Sequence, residues 1–147
     1  MKFELIDRVL EQTDDRIVAV KYVSLAEEYL QDHFPSFPVL PGVMMIETMV
    51  QAARRLLAGR GDARLVLGEV KTLKFASFVR PGEALEVEVA LVKPPESGVF
   101  LCRGTGRVRR FEEDAVETAV SGRFTMRSIR TVKTSVPKPP ETGTSSV

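Results

Sequence analysis

Residues 42–59, GVMMIETMVQAARRLLAG, read as one helix that is apolar on almost every side. At about 100° per residue, Val43, Met44, Met45, Ile46, Met49, Val50, Ala52, Ala53, Leu56 and Leu57 go nearly the whole way round. A helix of that kind is buried rather than laid on a surface, so the rest of the chain must wrap it. Pro41 suits the first helical position and Gly59 the end. Glu47 and Gln51 are the main polar exceptions and share one face at i,i+4. Arg54 and Arg55 mark the exposed end.

The wrapping material is β-like. Phe3, Leu5 and Val9 lie in one extended apolar run and Ile17, Val18 and Val20 in a second. Thr13-Asp14-Asp15 supplies the turn of a hairpin between them. Ser24-Leu25-Ala26-Glu27 fits a capping box that opens a short helix through about Gln31. A stiff loop follows, HFPSFPVLP, in which Pro35, Pro38 and Pro41 each fix their own φ and bias the residue before. After the long helix come four further strands: Arg64 to Phe75, Leu85 to Leu91, Val99 to Arg110, and a last one whose Val116, Thr118, Val120, Phe124 and Met126 share a face. Leu85, Val87, Val89 and Leu91 alternate with Glu86 and Glu88, the period of a half-buried strand. The expected class is α+β, an antiparallel sheet around one helix.

A chain of 147 residues suits one domain, here 1–129; residues 130–147, rich in Pro, Ser and Thr, read as a flexible tail. The net charge of +1 offers no global attraction to nucleic acid or anionic membrane. No apolar stretch approaches the ~20 residues of a membrane span. The acidic start leaves no room for a signal peptide. The single Cys, Cys102, excludes an intrachain disulfide, fits a reducing cytosol, and reads as an inert buried thiol. The single His, His33, excludes any two-His metal centre within one chain. Histidine chemistry, if present, belongs to His33.

Three features converge on residues 33–51. His33 precedes the stiff loop. Gly42 lies in the first helical turn, where N–H groups lack intrahelical partners and the dipole is positive. Glu47 is a carboxylate on a buried helix, costly unless something uses or pairs it; Arg54 is the structural alternative.

The stretch HFPSFPVLPGVMMIETMVQAA, residues 33–53, resembles the signature of the β-hydroxyacyl-acyl-carrier-protein dehydratases of fatty acid synthesis. The likeness continues at Leu5-Ile6-Asp7-Arg8-Val9, at Lys74-Phe75 and at Pro81-Gly82-Glu83. It implies the hot-dog fold, a curled antiparallel sheet around a central helix, in a homodimer and often a trimer of dimers. His33 matches the family's catalytic histidine and Glu47 its catalytic carboxylate. Gly42 matches the glycine whose N–H holds the thioester oxygen, and Gln51 the glutamine that orients the carboxylate or the substrate. In such dimers His33 of one subunit faces Glu47 of the other. The implied partner is acyl carrier protein, the implied compartment the cytoplasm, and no metal or organic cofactor is implied.

The chain departs from the family pattern in places. Ser36 replaces the usual Gly after HFP, Phe78 stands where a Pro is usual, and Val66-Leu67 falls where many members carry an aromatic pair. Two other functions fit the same fold: an acyl-thioester hydrolase that activates water with a helix carboxylate, and an acyl-binding module without chemistry. Arg103, Arg107, Arg109 and Arg110 crowd one strand, and Arg123, Arg127 and Arg130 the next. They form either a rim that steers the acidic carrier protein or a solvated face balanced by Glu112, Glu113 and Asp114.

Overall fold

A computed structural model of the protein describes residues 3–60 and 64–129. The proposed tail, 130–147, lies outside the described residues. Six antiparallel strands form one sheet in the order β1-β2-β4-β5-β6-β3. They are β1 (Arg8–Gln12), β2 (Arg16–Tyr22), β3 (Leu65–Phe75), β4 (Ala84–Leu91), β5 (Val99–Arg110) and β6 (Ala115–Ser128). The sheet curls around α1 (Gly42–Leu56), which packs on β2 through β6. This is the sheet around one helix expected from the apolar helix, and the hot-dog arrangement that the resemblance implies.

The helix is less completely covered than its sequence implies. Met45, Met49, Val50, Ala52, Ala53 and Leu56 are buried among the inward residues of β2, β4, β5 and β6. The larger of these, Met45, Met49, Val50 and Leu56, each contribute roughly 1.5–3 kcal/mol by leaving water. Val43, in contrast, is 67% exposed. At the crossing with β5, a side chain on Gly104 would come within 2.5 Å of Met49 Sδ, so glycine lets helix and sheet close on each other. Cys102 is fully buried, and burial pushes its thiol up to about 11, as suits an inert core residue.

Four local expectations change. Residues 3–7 do not extend β1. The Leu5 N–H donates to Gln51 Oε1 (2.7 Å) and the Phe3 carbonyl accepts from Gln51 Nε2 (3.0 Å), so this segment is tied to the helix instead of pairing as strand. The Ser24–Glu27 box forms: Ser24 N–H donates to Glu27 Oε2 (3.0 Å) and Ala26 N–H to Ser24 Oγ (3.2 Å). It closes only a turn, and the helical part is a short 3-10 segment, Glu28–Gln31. Pro41 sits one position before the helix, with extended ψ of 141°, and its carbonyl accepts from Met44 N–H (2.9 Å). Finally, β6 carries a bulge: Gly106 faces Val120 but Arg107 faces Thr118, leaving Ala119 as an extra residue. The strand therefore changes phase there. Val120, Phe124 and Met126 point inward, whereas Val116 and Thr118 are exposed.

No described helix is long and apolar enough to cross a membrane.

Candidate active site

The proline loop sets His33. Its carbonyl accepts from Val39 N–H (3.0 Å), and its ring Nδ1 lies 3.1 Å from the Val39 carbonyl oxygen. A carbonyl only accepts, so Nδ1 carries the proton and donates to it. Nε2 is then the ring nitrogen with a free lone pair, the form a general base needs. The two contacts clasp residues 33–39 as a unit, and Phe37 N–H donates to Phe34 O (3.0 Å) within it. The imidazole also stacks on Phe34, centroids 4.7 Å apart.

His33 and Gly42 line one open cleft of about 770 Å³. Its near wall is the clasped loop and the first turn of α1; its far wall is the segment 75–80, beyond β3. The helix comes very close to that far wall. A Cβ on Gly42 would sit 2.8 Å from the Phe75 ring, so only glycine fits without displacing it. The Gly42 N–H, as the first of the helix, has no intrahelical acceptor and is a donor free for a ligand oxygen.

The far wall was not singled out from sequence as part of the site. Arg110, only 12% exposed, donates to Glu83 Oε2 (2.6 Å), Glu117 Oε2 (3.3 Å) and the Phe78 carbonyl (3.3 Å). These partners, chiefly Glu83, hold its guanidinium above the ordinary arginine value despite the burial that opposes it. The Phe78 ring packs edge-on against Phe37, centroids 6.1 Å apart, joining the two walls. The sequence signals were Pro81-Gly82-Glu83 and the Phe at 78 in place of Pro, but nothing in them located Arg110.

Glu47 and Gln51 lie elsewhere. Glu47 does not line the cleft. It is five residues beyond Gly42, about 140° round the helix. There Gln51 Nε2 donates to Glu47 Oε1 (3.2 Å) while bridging Leu5 and Phe3. The expected neighbourhood of Glu47 and Gln51 is present, and Arg54 binds the Leu65 carbonyl (3.1 Å) instead of Glu47. One chain thus brings His33 together with Gly42, and Glu47 with Gln51, as two separate groups.

A curled six-stranded antiparallel sheet around one helix defines a hot-dog protein. The chain belongs to the ApeI-like dehydratase family, whose model matches residues 9–110. Among curated proteins it is similar to the 3-hydroxyacyl-acyl-carrier-protein dehydratase FabZ of Petrotoga mobilis, 33% identical over 108 residues, covering 72% of this chain and 77% of that protein. The FabZ of Pseudothermotoga lettingae is 40% identical over 88 residues, or 59% of this chain. The chain spans 63% of the length of that relative and 59% of the FabZ of Solibacter usitatus. Among solved structures, the dehydratase heterocomplex ApeI:P of Xenorhabdus doucetiae matches with TM-score 0.62 at 20% identity, covering 86% of this chain and 99% of that one. An acyl-CoA hydrolase of Agrobacterium tumefaciens matches with TM-score 0.63 at 16% identity, covering 83% of this chain and 47% of that one. At these identities the structural matches establish the fold.

Proposed function

We propose that this chain dehydrates (3R)-hydroxyacyl groups carried on acyl carrier protein, giving the trans-2-enoyl thioester and water, as a cytoplasmic enzyme of fatty acid synthesis. The observation that carries the reading is the His33 ring, fixed through Nδ1 on the Val39 carbonyl and sharing a cleft with the unpaired Gly42 N–H. Elimination next to a thioester needs a base for the α-proton and a donor for the enolate-like oxygen, and these two groups supply them. His33 Nε2 takes the proton from Cα while the Gly42 N–H holds the carbonyl oxygen. The electron pair forms the double bond, and the C–O bond to the β-hydroxyl breaks.

The departing hydroxyl needs a proton. Glu47 delivers it, oriented by Gln51, and His33 returns its own proton to Glu47 as the site resets. Since Glu47 stands off the cleft of its own chain, the acid comes from a second subunit, and the working unit is a homodimer. The 67% exposed Val43 and the open edge of β3 support an association of this kind. Trimers of such dimers are compatible with the same surface.

The test uses purified protein and a hydroxyacyl thioester. His33→Ala and Glu47→Gln each lower the rate of enoyl formation by about 10²–10⁴-fold while the dimer stays intact by light scattering. Wild-type turnover in either variant removes the assignment. Release of free thiol without enoyl product replaces it with hydrolysis.

A further inference from the structure

The two walls of the cleft are fastened to each other. The Leu40 N–H donates to the Val79 carbonyl (2.7 Å), and both residues are buried. The Phe37 and Phe78 rings add an edge-on contact beside that bond. Leu40 holds a central place in the chain. The residue before it is Val39, whose carbonyl fixes the His33 ring. Two residues after it comes Gly42, which opens the helix. The position of Val79 therefore reaches both the imidazole and the Gly42 N–H through one residue.

Val79 in turn is framed by side chains. It lies between β3 and β4, outside both strands. Glu83 turns back beneath this segment, because Gly82 takes a left-handed backbone, φ 86°, that suits glycine. Glu83 Oε1 then accepts from the Arg80 N–H (2.8 Å) and Oε2 from Arg110 (2.6 Å). Arg110 completes the frame. Both its terminal nitrogens donate to the Phe78 carbonyl (3.3 Å each), and one also donates to Glu117 Oε2 (3.3 Å). The same Glu117 oxygen accepts from Ser77 Oγ (3.1 Å). One guanidinium thus ties down Ser77, Phe78 and, through Glu83, Arg80, on either side of Val79.

We propose that Arg110 is a positioning residue: through Phe78 and Val79 it sets Leu40, and with it the placement of the His33 imidazole relative to the Gly42 N–H. A buried ion pair adds little stability over apolar packing, because desolvation offsets its attraction. Its directed bonds, however, define one course of the backbone. Only the planar fork of arginine meets all three acceptors, Phe78, Glu83 and Glu117, at once. A small misplacement of reacting groups slows the chemical step far more than it weakens binding. The consequence for turnover rests on the dehydratase reading; the link from Arg110 to Leu40 does not.

The experiment reads the two separately in the full chain, with wild type, Arg110→Lys and Arg110→Met. Amide hydrogen exchange is followed by NMR at Leu40 and at Val89, buried in the central strand β4, where exchange reports global opening. Enoyl formation from a hydroxyacyl pantetheine thioester gives kcat and KM. In Arg110→Lys, Leu40 exchanges at least about tenfold faster while Val89 is unchanged. Its kcat falls about tenfold and KM stays within about twofold. Arg110→Met leaves Glu83 buried without its cation and is the more severe variant. If it does not fold, Arg110→Lys decides alone, since its ammonium still pairs with Glu83. Leu40 exchange that is unchanged, or that rises together with Val89, overturns the positioning role. An unchanged kcat in Arg110→Lys does the same. A wild type that forms no enoyl product removes the dehydratase reading, and selective loosening of Leu40 then still keeps Arg110 as the residue that sets His33 and Gly42.

Discussion

Helix α1 faces two ways, and the two faces are built differently. Its first turn meets His33 and Phe75 across an open cleft, with the Gly42 N–H unpaired. Some 140° round, Glu47 and Gln51 meet the N-terminal segment, and their polar groups are engaged within the chain. The first face carries the His33 imidazole and the Gly42 N–H but not Glu47; the second carries Glu47 but no imidazole. The Val39 carbonyl holds His33 on the first face, and the backbone of Phe3 and Leu5 holds Gln51, which in turn holds Glu47, on the second. On the dehydratase reading proposed above, the unit of chemistry is then larger than the unit of folding.

The strongest way to break this comparison is to mix subunits. His33→Ala and Glu47→Gln, each inactive alone, are co-refolded in equal amounts. Half of the resulting dimers carry both variants, and each of those has one intact site. Activity then returns to about a quarter of wild type, as the two-fold symmetry of the pair requires. No recovery means that each chain works with its own Glu47.

A smaller effect sharpens the second face. Gln51→Ala leaves the Leu5 N–H and the Glu47 carboxylate without their shared partner, at roughly 1–3 kcal/mol of stability for the buried donor. Thermal denaturation measures that loss. Turnover falls too, but less than for Glu47→Gln, because the carboxylate remains in place. Equal losses in the two variants would make Gln51 part of the reacting group itself.

The smallest effect concerns the strand under the N-terminal segment. Lys21, 4% exposed, is paired with Glu27, which also accepts from Tyr29 Oη (2.7 Å). Burial opposes the charge on Glu27, but the hydrogen bonds from Lys21, Tyr29 and Ser24 N–H outweigh it and hold its carboxyl below the usual range. A lowered acid stabilises the fold above its unfolded pKa of about 4.3 and loses that contribution as the pH falls through the folded value. Glu27→Gln therefore lowers Tm near neutrality, and the gap to wild type closes in acid. A gap that is constant with pH would place the effect in packing and leave the ion pair silent.

Much of this was legible in the residues. The apolar circumference of α1, the alternation in β4 and the turn residues Thr13-Asp14-Asp15 before β2 led to the right elements, because each rests on a local signal. The four parts singled out, His33, Gly42, Glu47 and Gln51, follow from one motif, and the structure places them in two pairs. What could not be read depends on partners far away in sequence. Residues 3–7 look like strand until Gln51 takes their backbone groups. The arginine-rich strands look alike until the register decides which of them meets a glutamate. Arg110 gave no sign of its burial beneath Phe78, because its three partners come from different turns and strands.

The bulge at Ala119 has a wider meaning for how such a chain can change. Glu117 stands opposite Val108 and reaches Arg110 and Ser77 at the end of the cleft, in a register that runs unbroken from the hairpin turn to the pair Arg107–Thr118. Deleting Ala119 would join that register to the next pair, Gly106–Val120, with both already in phase, and leave Glu117 facing inward. The strand can gain or lose a residue at that one place without changing what the cleft presents. The bulge is slack, a point where the length of the chain can vary while the site stays as it is.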